Sequence, residues 1–109
     1  MKSLQDMLTA LYVDFTDLPC PVTHYRRLSQ YPYMVWAEDS EDSGLHADNK
    51  KQEQAIVGYI DYFTKTEFDQ TVDDIQEILN RQDVAWSLDA VEYDDTTNLI
   101  HYRWSWETR

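Results

Sequence analysis

Apolar residues near the N-terminus recur at helical spacing: Leu4, Leu8, Leu11, Tyr12 and Phe15 fall on one face of a helix. The spacing predicts a helix from Ser3 to about Asp14. Ser3 is placed to cap the first free N–H groups, and Asp6 sits near the positive end of the dipole. Pro19 and Pro21 flank Cys20 and forbid helix there, so the chain turns before Val22. Val22 to Arg27 is rich in β-formers and reads as a short strand. After the break at Ser29-Gln30-Tyr31-Pro32, Tyr33, Val35 and Ala37 alternate against Met34 and Trp36, which predicts a second strand.

The stretch from Glu38 to Gln52 is the one long polar segment, holding Glu38, Asp39, Glu41, Asp42 and Asp48, then Lys50 and Lys51. It reads as a long loop, or as strand ends running into a mobile tip, and a loop of that length is often functional or disordered. From Glu53 the strand pattern returns. Ile56, Ile60 and Tyr62 share one face with Gly58 between them, while Val57, Tyr59, Asp61 and Phe63 take the other. A strand apolar on both faces is either central or turned toward another subunit. Gly58 allows a bulky neighbour to come close or marks a bulge.

Thr66 is the predicted opening of a second helix, with Asp69 at the capping-box position and Phe68, Val72, Ile75 and Leu79 on its apolar face. Asp69, Asp73, Asp74, Gln76 and Glu77 form its wet side. A hairpin closes the chain. Trp86 and Leu88 share a face and Val91 and Tyr93 appear in the opposite phase, which places a bulge near Asp89-Ala90. Asp94 to Asn98 carries turn chemistry. On the return strand Ile100, Tyr102, Trp104 and Trp106 point inward and Leu99, His101, Arg103 and Ser105 outward. The expected fold is α+β: an antiparallel or mixed sheet of about five strands with two helices packed on one face, in the order α-β-β-(loop)-β-α-β-β.

Length and composition leave this picture standing. The 109 residues suit one domain, 1–109, and folding such a chain removes roughly 65% of its unfolded surface. Charge changes the picture more: nine Lys/Arg against 21 Asp/Glu give a net charge of −12. Phosphate binding relies on Lys and Arg displacing counterions, so direct nucleic-acid binding and attachment to an anionic membrane are not expected. The acid suits a basic partner, mimicry of DNA, a passage through which DNA slides, or simply solubility. A lone cysteine excludes an intrachain disulfide, and no apolar run reaches the length of a signal peptide's core or a membrane span.

Catalytic and metal chemistry is not expected. His24, His46 and His101 lie in separate elements, without a second ligand at metal-binding spacing. Cys20 has no histidine partner assignable from sequence. The acids at 38–42 lack the glycine and final glutamate of a calcium loop, and two separated glycines cannot form a phosphate-binding loop. The reading is therefore of a protein that is no enzyme and needs no cofactor. The exposed apolar candidates for a subunit interface are Val57, Tyr59, Phe63 and Leu99.

One family resemblance emerges. A short N-terminal helix and a strand lead to Pro32-Tyr33-Met34-Val35-Trp36. A polar loop follows, and Tyr59-Ile60-Asp61-Tyr62-Phe63-Thr64-Lys65 runs into an acidic helix and a closing hairpin. From about Leu4 to Glu107 this resembles the small tail-terminator or tail-completion (head–tail joining) proteins of long-tailed bacteriophages and prophages. The resemblance implies a structural protein that assembles into a hexameric ring, caps the tail tube and meets the head connector. Its implied partners are copies of itself, the tail-tube protein and the head-connector protein. Its implied location is the host cytoplasm during assembly and then the virion tail. In that setting an acidic passage repels DNA phosphates, and Glu38, Asp39, Glu41, Asp42 and Asp48 are partner-binding candidates. An acidic DNA mimic or regulator that binds a basic partner is the alternative.

Overall fold

The computed structural model describes residues 3–41, 46–47, 50–51 and 55–108. Helix α1 spans Leu4–Phe15. Its start is set by Ser3, whose hydroxyl accepts the Asp6 N–H at 3.1 Å and so satisfies one free donor of the first turn. Strand β1 covers only Val22–His24, short of the expected Arg27. Tyr25 adopts a left-handed backbone with φ 74 and turns the chain away from the ladder. The Tyr31–Pro32 bond that leads into the next strand is cis.

Strand β2, Tyr33–Glu41, runs four residues past the expected end at Ala37. Backbone pairing with the partner strand continues through Glu41 opposite Ile56, so the polar side chains of Glu38, Asp39 and Ser40 do not end it. A bulge between Glu38 and Ser40 absorbs the extra residue. Two-residue strands β3 (His46–Ala47) and β4 (Lys50–Lys51) pair antiparallel, so part of the expected loop is sheet. Strand β5 is Ile56–Thr64.

Helix α2, Gln70–Arg81, begins later than the sequence suggests. Asp69, expected within the first turn opposite Thr66, is itself the cap and accepts the Thr71 N–H at 3.0 Å. Phe68 therefore lies outside the helix. It has φ 55 and is 97% exposed, a correction to its placement on the apolar face. The closing hairpin is β6, Val84–Asp94, and β7, Leu99–Thr108. Its register slips between Leu88 and Ala90, where the change of apolar phase places a bulge.

The main sheet has the order β1-β2-β5-β7-β6. β1 is parallel to β2 and every other pair is antiparallel, so the expected α+β fold with a mixed sheet is the one observed. Both helices cover the same face. Leu8, Leu11, Phe15, Ile75, Ile78 and Leu79 pack there on Met34, Trp36, Ile60, Tyr62, Trp104 and Trp106. Each such aliphatic or Phe side chain, fully buried, contributes about 2 kcal/mol. The opposite face holds a smaller cluster of Tyr33, Val35 and Phe63, with Leu28 and Leu99 packed against it. Central β5 is apolar on both faces because each face has its own cluster within the chain.

Candidate functional site

Polar groups of the sheet converge at Asp61. Its carboxylate is fully buried on the face away from the helices. It lies 2.6 Å from His101 Nε2 and 3.2 Å from Arg103 Nη1, with the Arg27 guanidinium at 4.0 Å. Glu92 approaches the other nitrogen of His101 at 3.6 Å. Arg103 also lies 4.3 Å over the Tyr59 ring, and His101 stacks on Phe63 at 4.4 Å. A buried carboxylate needs such compensation, because desolvation alone would cost several kcal/mol. Among the described residues His101 and His24 each hydrogen-bond a carboxylate, Asp61 and Glu38 respectively. The cluster clamps β5 to β7. The sequence placed Asp61 on a strand face with Tyr59 and Phe63, and His101 and Arg103 on one face of a later strand, but it did not show that the two strands pair.

Cys20 and Tyr62 surround the cap of α2. Burial first, then the nearby Asp69 charge, pushes the Cys20 thiol up to about 11, which keeps it protonated and unreactive near neutrality. The Tyr62 hydroxyl donates to Asp69 at 2.7 Å; burial and that carboxylate hold its proton on. Partial burial pushes Asp69 up, but hydrogen bonds from Tyr62, Thr64 and Thr71 outweigh it and leave the carboxyl below its ordinary value. Among the described residues no group of three or more His, Cys, Asp or Glu could hold a metal ion, and no helix is long and apolar enough to cross a membrane.

The acidic partner-binding candidates separate. Glu38 lies on β2 and accepts from His24 Nε2 at 2.8 Å, so it is engaged within the chain. Asp39 occupies the bulge and is exposed, while Glu41 ends the strand half-buried. Asp42 and Asp48 lie outside the described residues. The four interface candidates do share one sheet face. Phe63 is buried in the smaller cluster, Leu99 packs beside it, Tyr59 lies under Arg103 and Val57 is half-buried.

Free apolar surface is found instead at the two edges of the sheet. At the β1 edge a cleft of about 540 Å³ opens between α1 and β1. Tyr12, Val22, His24, Tyr25, Arg26, Trp36 and Glu38 are among its walls. His24 is sandwiched between Tyr25 at 3.9 Å and Trp36 at 4.2 Å, and Tyr12 stacks on Trp36 at 6.3 Å. Tyr12 and Tyr25 remain 44% and 58% exposed. At the β6 edge, Leu88, Val91 and Tyr93 stand exposed on the face that carries the helices. Helix α2 reaches Trp86 through Asn80 but leaves these residues uncovered. Sequence reasoning placed these side chains on strand faces but did not show which would be left open, because that depends on the path of α2.

No protein-family model matches the chain, and no curated protein matches it.

Proposed function

We propose that the protein is a structural assembly subunit of the tail-terminator or tail-completion class of long-tailed phages and prophages. In this reading it caps the tail tube and joins it to the head connector as a hexameric ring, and it has no catalytic role. The observation that carries the reading is an open sheet with apolar side chains exposed at both edges and compensated polar groups within. Such a molecule is built to be continued by other protein surfaces. The resemblance in element order to tail-terminator proteins supplies the particular assembly. Phe68, 97% exposed just ahead of α2, is free to meet an unlike partner such as the tail-tube ring. The alternative, an acidic DNA mimic, has less support: Asp69 is consumed as a helix cap and Asp74 accepts from Gln70, which breaks up the acidic row on α2.

The test is to inactivate the gene in the phage or prophage that encodes it and image the particles released. Filled heads separated from unsealed tails are expected. Intact, infectious particles would remove the tail-terminator reading.

A further inference from the structure

β6 is the last strand in the order of the main sheet, so one row of its N–H and C=O groups faces away from β7. Among the described residues no backbone hydrogen bond reaches that outer row. An unpaired row is a template for another strand, and natural edges are blunted by proline, lysine, a bulge or a covering element. β6 holds no proline, lysine or arginine, and beyond its bulge the register is regular from Ala90 to Asp94. Helix α2 engages Trp86 through Asn80 and leaves Leu88, Val91 and Tyr93 exposed. The register sorts the side chains of this edge by face. Leu88, Val91 and Tyr93 stand opposite Trp104, Tyr102 and Ile100, on the helix-bearing side. Ala90, Glu92 and Asp94 stand opposite Arg103, His101 and Leu99, on the other side. Asp89, in the bulge, accepts from Ser87 and Ser105 on that other side as well. Asp89, Glu92 and Asp94 are all exposed. Among the described residues Asp89 and Asp94 accept from hydroxyl and backbone N–H groups and pair with no lysine or arginine. Glu92 meets only His101, which it shares with Asp61.

We propose that the β6 edge is a docking site for an extended basic segment of another protein, which joins the sheet as a further strand beside β6. Successive side chains of a strand point to opposite faces, so the segment alternates apolar and basic residues. Its apolar side chains lie with Leu88, Val91 and Tyr93 on the helix-bearing side, and its Lys or Arg side chains meet Glu92 and Asp94 on the other. Backbone hydrogen bonds supply affinity and the two rows of side chains supply specificity. A second copy of this chain fits less well. Two β6 strands paired about a two-fold axis perpendicular to the sheet put Glu92 and Asp94 on the same side as their own copies, and like charges across a strand pair repel. The edge therefore serves an unlike partner. The inference rests on the reading of the open edges as surfaces continued by other proteins, and it names the chemistry of what continues one of them.

The experiment titrates the peptide Lys-Val-Lys-Val-Lys-Val-Lys, blocked at both ends, into the isotope-labelled whole chain and follows its backbone amide resonances. Saturable shifts are expected along Leu88–Asp94 and not along α1 or β1, with slower hydrogen exchange of the outward amides of β6. The same peptide with Glu in place of Lys is expected not to bind. Two further versions are N-methylated, one on the valines and one on the lysines. The version that loses the pairing N–H groups should bind about tenfold more weakly. Glu92→Gln with Asp94→Asn keeps the shape of both side chains and removes their charge. That variant should bind about fivefold more weakly and with less dependence on salt, and thermal unfolding verifies that it folds. Failure of the Lys peptide to bind overturns the inference. Equal binding of the Lys and Glu peptides, binding undiminished by either N-methylation, or shifts centred away from β6 overturns it as well. So does self-association of the protein that shifts these same amides, because the edge then belongs to a second copy. Tail defects on gene inactivation without peptide binding would leave the assembly role in place and remove only this contact. Peptide binding with intact, infectious particles would keep the contact and remove the tail-terminator role.

Discussion

Gly58 occupies a point where two neighbours have already taken the space of a side chain. A Cβ built there would lie 2.2 Å from the Trp106 ring and 2.4 Å from the Ala37 carbonyl oxygen. Neither can retreat cheaply, because the indole is buried and the carbonyl belongs to the adjacent strand. Gly58→Ala is expected to cost about 3 kcal/mol, read as a lower urea midpoint at unchanged slope. A change within ±0.5 kcal/mol would mean that β5 and β7 can separate there. The glycine's role was visible in the sequence as a gap in the apolar face of β5, but its partner was not. Trp104 and Trp106 behave as their alternation with Ile100 and Tyr102 requires, both being almost completely buried. Phe68 does not follow its helical spacing, because Asp69 wins the cap position through bonds to Tyr62 and Thr64 that no local pattern contains.

At the scale of elements, the start of α2 depends on one carboxylate that accepts from Thr71, Tyr62 and Thr64. The Asp69 pKa lies below its ordinary value of 3.8. A depressed carboxyl contributes stability that is fully present above the unfolded value and lost as pH falls through the folded one. Asn caps a helix about as well as Asp. Asp69→Asn should therefore cost roughly 1 kcal/mol at neutral pH, chiefly through the weaker bond to the Tyr62 hydroxyl and the lost charge at the helix N-terminus. The gap between wild type and variant should close as pH falls below about 4. A gap that persists unchanged at pH 2 would show that the ionised carboxylate is not the cause. Helices and the closing hairpin were legible because their apolar periods are local. The true ends of β1 and β2 were not, since one is set by the left-handed Tyr25 and the other by pairing with β5.

For the whole molecule, a net charge of −12 on 109 residues means that folding and association both work against self-repulsion. Raising NaCl from about 10 mM to 300 mM shortens the screening length from about 30 Å to well under 10 Å. The thermal midpoint of the monomer should rise by a few degrees over that range, measured at a protein concentration too low for assembly. A falling midpoint would mean that ion pairs such as those at Asp61 outweigh the net repulsion. What the sequence by itself determined was the order of the two helices and the five strands of the main sheet, the apolar faces of those strands, the helix-covered tryptophan core and the hairpin bulge. Each follows from a period or a turn residue within a few positions of chain. Which strands became edges, where Asp61 finds its cations, and which apolar side chains α2 leaves uncovered were decided only by tertiary structure. Those outcomes depend on residues 40 or more positions apart meeting across β5 and β7, as Asp61 and His101 do. Such meetings are a property of strand order, and no local pattern encodes that order.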